Sequence, residues 1–135
     1  LFYARCSAAV AIIVAGLFGI YPPAFVAQVV AFAFGLAAST IFPALFLGIF
    51  SKRLNKEGAI AGMLAGLIFT ASYIIYFKFL FSELDSSSYW LLGISPEGIG
   101  FLGMIINFLT AIVISSVSSK PPIEVGKMVD KIRLP

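Results

Sequence analysis

The chain has 135 residues, 61% of them hydrophobic and 11% charged, with a mean hydropathy of +1.07. Soluble domains carry about 25% charged residues, so this composition cannot coat a water-facing surface; it excludes a soluble enzyme, and it excludes disorder, which requires low hydrophobicity. The net charge of +3 comes from 9 Lys+Arg against 6 Asp+Glu. These charges fall in short segments between apolar runs, a pattern of membrane topology rather than of a nucleic-acid surface.

There is no His, and Cys6 is the one Cys, so an intrachain disulfide and a Cys/His metal cluster are both out of reach. Cys6 reads as a small packing residue at a helix start, with palmitoylation as the alternative. The chain opens on Leu1 without a signal-peptide pattern and reads as the tail of a longer protein.

No charged residue occurs from Cys6 to Ser51. A single helix of that length would be roughly 70 Å long, against a hydrocarbon core of about 30 Å. The run must fold back, and Tyr21-Pro22-Pro23 is the break, since Pro lacks a donor and disfavours helix in the residue before it. Two further apolar runs follow. Spans are expected over 4–20, 24–50, 58–78 and 97–118, an all-α integral membrane architecture of four transmembrane helices. Residues 120–135 form a tail whose Val125, Met128, Val129 and Ile132 recur at helical spacing. It reads either as a short amphipathic helix on the leaflet or as a solvated segment.

Basic residues occupy every second connection. Arg5, then Lys52, Arg53 and Lys56, then Lys120, Lys127, Lys131 and Arg133 lie on one side, and the positive-inside rule makes that side, with the C-terminus, cytoplasmic. The expected location is the cell (inner) membrane. Tyr73, Tyr76, Phe77, Phe79, Phe81, Tyr89 and Trp90 mark the opposite edge as an aromatic anchor. Ser95-Pro96-Glu97 reads as a helix start, with a capping Ser, Pro in the first turn and an acid near the positive dipole end.

Within the spans a few residues stand out. Gly58, Gly62 and Gly66 lie four apart, which lets helices approach closely, within the chain or between two copies of it. In the second span, Ser39 and Thr40 precede Pro43, which cannot donate to the carbonyl of Ser39. Either the hydroxyls bond back onto a kinked helix, or the freed group serves a solute or cation. Gln28 could face a solute pathway or the interface, and Asn107 reads as interhelical glue. No Asp, Glu, Lys or Arg lies in the interior of a span. That leaves no intramembrane relay for a self-sufficient proton-coupled transporter and no acid, base or nucleophile for an enzyme.

The segment Phe46-Leu47-Gly48-Ile49-Phe50-Ser51-Lys52-Arg53-Leu54-Asn55-Lys56-Glu57-Gly58-Ala59 resembles the sodium:solute symporter family. Ala37-Ala38-Ser39 with Phe42-Pro43, Ala59-Ile60-Ala61-Gly62-Met63, and Tyr89-Trp90 with Gly93-Ile94-Ser95-Pro96-Glu97-Gly98-Ile99-Gly100 are similar to its cation:acetate symporter branch. The resemblance implies the C-terminal part of a five-plus-five inverted-repeat symporter. The first two spans would be the last core helices and the other two peripheral helices. It also implies that the sodium site and most solute contacts lie upstream of Leu1. Sodium would then be expected only in the complete transporter, and this chain would need no cofactor.

The last core helix gates the pathway in that family, which makes Gln28, Ser39 and Thr40 the local pathway candidates. The glutamine used by sugar-transporting relatives aligns with Ala31, not Gln28. The expected function is therefore part of a sodium-coupled symporter for a small monocarboxylate such as acetate, not competent alone. Its partners would be the lipid bilayer, the upstream helices and the carboxylate solute, with no nucleic acid. The alternative is a non-transporting membrane scaffold or assembly subunit.

Overall fold

A computed structural model describes residues 2–21, 25–119, 121–122, 125–126 and 129–131. The order is α1 (Phe2–Ile20), α2 (Val26–Phe50), α3 (Lys56–Ile75) and α4 (Gly100–Val117). Among the described residues every regular element is helical. The Pro22-Pro23 break, Lys120, and the tail residues Lys127, Met128, Ile132 and Arg133 lie outside the described residues.

Three helical stretches are long and apolar enough to cross a membrane: Val26–Phe50, Lys56–Leu80 and Gly100–Val117. The apolar stretch of α1, Arg5–Ile20, is shorter than these three. Arg5 bounds it, and its length corresponds to about 24 Å of helix, short of the roughly 30 Å core.

The chain divides into two compact units, 1–30 and 31–135. The first unit holds α1 and the first turn of α2. In it Tyr21 N–H donates to Leu17 O at 2.8 Å, and Gln28 N–H donates to Phe25 O at 2.8 Å. Large apolar side chains such as Val10, Ile12, Ile13, Leu17 and Phe18 are exposed. In a bilayer such surface faces lipid or other helices rather than water.

The second unit is built on α2, α3 and α4. α3 is oriented by its cap: Asn55 is extended (φ −108°, ψ 172°) and its side chain accepts from Gly58 N–H at 2.8 Å, with Glu57 in the first turn near the positive dipole end. Gly58, Gly62 and Gly66 are all buried and face α4 within the chain. A methyl on Gly58 would overlap Ser115 Oγ and stand 2.8 Å from Ala111 O. On Gly62 it would overlap Asn107 Oδ1, and on Gly66 the carbonyl of Ser39. Backbones can approach this closely only where no Cβ intervenes. Gly100 meets Gly35 of α2 in the same way. Lower down, Phe108 of α4 packs edge-on against Phe42 and Phe46 of α2, with centroids 6.1 and 5.8 Å apart.

α3 does not stop at Ile75. It continues as a π-helical turn over Tyr76–Leu80, then short 3-10 turns at Ser82–Leu84 and Leu91–Gly93. Leu92 and Gly93 both have positive φ, 55° and 70°. The glycine is free of strain there, whereas the leucine is held in a conformation that costs about 1–2 kcal/mol.

Ser95 does not cap α4. The helix starts five residues later at Gly100, no side chain caps it, and residues 96–99 form a turn in which Gly98 N–H donates to the Ser95 backbone carbonyl at 2.9 Å. Glu97 is drawn instead to Lys78, as described below.

At the opposite end Lys52 pairs with Asp130 at 2.5 Å, and Val129 is buried. The described part of the tail therefore lies against the chain's own α2–α3 turn.

Candidate functional site

The pathway candidates Ser39 and Thr40 sit at the centre of the second unit. Ser39 Oγ donates to Leu36 O at 3.0 Å, and Thr40 Oγ1 donates to the same carbonyl at 2.7 Å. Both hydroxyls thus bond back onto their own helix, the usual fate of Ser and Thr inside an apolar helix. Ser39 and Pro43 are buried, and Thr40 is partly buried.

Pro43 removes the N–H that would normally reach the carbonyl of Ser39. The missing donor comes from α4. Asn107 Nδ2 donates to Ser39 O and to Thr40 O, each at 2.8 Å. Asn107 is fully buried. Gly66 of α3 closes on the same Ser39 carbonyl from the other side. The proline, the amide and the glycine therefore form one junction of three helices. The freed carbonyl is occupied by the chain's own amide rather than left open to a solute.

Two buried oxygens at this junction have no conventional donor, Asn107 Oδ1 and Thr70 Oγ1. The Cβ direction of Gly62 points at the first, and that of Gly103 at the second. Each glycine thus aims a Cα hydrogen at an oxygen, the weak Cα–H···O contact that recurs where helices touch closely. Gly58 does the same toward Ser115 Oγ, and Gly66 toward Ser39 O.

Gln28 lies in the first unit, half-buried in the first turn of α2, and is placed there by the Phe25 carbonyl that accepts from its N–H.

A second polar cluster, at the far end of α3, was not visible in the sequence as a unit. Lys78 Nζ lies 2.5 Å from Asp85 Oδ2 and 2.9 Å from Glu97 Oε1. Trp90 Nε1 donates to Asp85 Oδ1 at 3.0 Å. Tyr73 OH donates to Ile94 O at 3.0 Å and accepts from Leu91 N–H at 2.8 Å. The π-helical turn aims Lys78 at the two carboxylates, and Tyr73 and Trp90 fasten the connecting loop over the helix end. The aromatics singled out as an anchor belt are, in part, hydrogen-bonded struts. The one sequence cue was the opposite charge of Lys78 to Asp85 and Glu97. Nothing in the spacing says that they meet.

The Lys-Arg-x-Asn-x-x-Gly-Ala segment also gains a physical reading. Arg53 Nη2 donates to Ser116 O at 2.9 Å and Asn55 Nδ2 to Ser119 O at 2.9 Å, while Ser115 Oγ donates to Asn55 Oδ1 at 3.2 Å. The last turn of α4 has carbonyls without helical donors; Arg53 supplies one to Ser116 O, and Asn55 supplies one to Ser119 O just beyond the helix end. Gly58 then admits Ser115. Among the described residues no group of three or more His, Cys, Asp or Glu is placed to hold a metal ion.

Comparison with known proteins follows the same segment. The sodium:solute symporter family model matches residues 3–66, which include α1, α2, the basic turn and the first half of α3. Over 103 residues, 75% of its length, the chain is 36% identical to an uncharacterized symporter of Cupriavidus necator, and the match covers 15% of that protein. The chain thus spans a small part of the curated relative it matches. No solved structure matches it. Both likenesses are to symporters, and neither is to an enzyme or to a scaffold subunit.

Proposed function

We propose that the chain belongs to the sodium:solute symporter family and forms part of a sodium-coupled secondary transporter for a small monocarboxylate such as acetate. The single observation that carries this reading is the family match over residues 3–66, which falls on the helix with the Pro43 junction and on the basic turn that caps α4. α2 would be the last core helix. α3 and α4, bound to it through Asn107 and Gly66, would be scaffold. Alternating access would then move the part of α2 that precedes Gly35, while the part from Gly35 onward stays seated on the scaffold through Gly100 and Asn107. Gln28, Ser39 and Thr40 remain the pathway candidates. Ser39 and Thr40 would contribute through the wall they form rather than as sodium ligands, since their hydroxyls are committed to Leu36 O. The basic turn would face the cytoplasm, and the protein would lie in the inner membrane.

The test is sodium-dependent uptake of labelled acetate in cells, comparing a longer reading frame that includes upstream helices with this chain alone. The expected result is uptake by the longer form only. Uptake by this chain alone would overturn the view that further helices are required. No uptake by either inserted form, with acetate replaced in turn by other small carboxylates, would overturn the substrate class.

A further inference from the structure

We propose that a slot between the ends of α2 and α4 holds an acyl chain of an anionic phospholipid, with the phosphate seated on Arg53. The slot has a volume of about 170 Å³. Its wall is largely apolar, made by Leu47, Leu54, Ala111 and Ile112 together with Ser115, whose hydroxyl is already committed to Asn55 Oδ1. Ile112 is 53% exposed, so the slot opens sideways, on the flank where the helices meet hydrocarbon. Its rim is polar, made by Ser51, Arg53 and Ser116.

The rim sits where α2 ends at Phe50, α3 begins at Lys56 and α4 ends at Val117. That is the level at which acyl chains give way to headgroups. A molecule that is apolar below this level and anionic at it is a phospholipid. A small carboxylate solute has no chain to fill the wall.

The charge at the rim fits. Arg53 is exposed, and its guanidinium is steadied over the slot by Nη2, which donates to Ser116 O at 2.9 Å. Its own backbone N–H donates to Ser51 Oγ at 3.2 Å. The planar fork of Arg suits phosphate oxygens. Lys52 is paired with Asp130, and among the described residues of the α2–α3 turn Arg53 and the exposed Lys56 carry the other positive charges, with Glu57 beside them in the first turn of α3. Basic pockets between helices at this depth hold anionic headgroups. The inference requires the membrane placement of these helices but not the transport reading.

The experiment is native mass spectrometry of the purified full chain titrated with dioleoyl phosphatidylglycerol, dioleoyl phosphatidylcholine or glycerol phosphate. The expected preference for phosphatidylglycerol over phosphatidylcholine is about five-fold, the weight of one basic residue at the surface. Arg53→Gln should bring that ratio close to one, and Arg53→Lys should keep part of it. Arg5→Gln, which removes the same charge from a residue that does not line the slot, should leave it unchanged. Ile112→Trp should fill the slot and weaken both lipids while sparing Arg53. Equal binding of the two lipids would overturn the proposal, as would a preference that survives Arg53→Gln. Displacement of phosphatidylglycerol by glycerol phosphate would show that the headgroup binds without its chain, and would overturn the slot. If Arg53→Gln does not fold, undiminished lipid binding by Ile112→Trp overturns it instead.

Discussion

Replacing Asn107 with leucine removes the two 2.8 Å bonds to Ser39 O and Thr40 O at the centre of the three-helix junction. The two carbonyls are not equivalent. Thr40 O stands opposite the N–H of Ala44 in the helix, whereas Ser39 O stands opposite Pro43 and has no helical donor. Interhelical hydrogen bonds inside membranes average about 0.6 kcal/mol, so the two bonds together are worth about 1 kcal/mol. Leaving a buried carbonyl unpaired costs about 1–3 kcal/mol more, so Asn107→Leu should destabilise by about 2–4 kcal/mol in total.

The decisive measurement is a double-mutant cycle with Pro43→Ala, which restores a donor to Ser39 O. In the Pro43→Ala background the same Asn107→Leu change should cost about 1 kcal/mol less, a coupling of the size expected for residues that share one partner. Reversible unfolding in mixed micelles reads both. Equal costs in the two backgrounds, or a cost below about 0.3 kcal/mol in the native background, would refute the assignment of Asn107 as the replacement donor.

Other consequences follow from the same contacts. Gly62→Ala should push α3 away from α4, since the methyl overlaps Asn107 Oδ1 and stands 2.9 Å from Ala111 Cβ; a loss of about 1–3 kcal/mol is expected in the same unfolding assay. Gly48→Ala meets nothing within 4 Å and should be neutral or stabilising by up to about 1 kcal/mol, so equal effects at the two glycines would refute the packing argument. Asn55→Ala removes the α3 cap and the bond to Ser119 O; a loss of about 1–2 kcal/mol is expected, and a loss no larger than that of Lys56→Ala would refute the capping role. Lys78→Met leaves Asp85 and Glu97 facing each other without their cation. Because the side chains keep 18–29% exposure, the expected loss is about 1–2 kcal/mol rather than the 3–5 of a fully buried pair. It should appear as faster proteolysis of the 82–95 loop and a shifted Trp90 emission; unchanged proteolysis and emission would show that the cluster does not hold the loop.

Much of this protein is legible along the chain. Composition separates it from soluble proteins, and the uncharged runs mark where helices must lie, because lipid rewards apolar side chains and tolerates no unpaired backbone. The small face at Gly58, Gly62 and Gly66 is visible as a spacing, and the missing donor at Pro43 as a covalent fact. What those features meet is not visible. Ser95 has the chemistry of a cap, yet the chain turns once more before α4, and Glu97 goes to a lysine on another element.

Asn107 is a single amide in an apolar helix, and its spacing does not point to a carbonyl 68 residues earlier. Local propensity and hydropathy are properties of one segment in its solvent, so the sequence alone determined the membrane class and the approximate helical stretches. Which helix supplies the donor that Pro43 lacks, and which carboxylates Lys78 reaches, depend on how α2, α3 and α4 are rotated against one another. Only tertiary structure decided that, through close contacts between glycines and oxygens too short-ranged to leave a periodic trace.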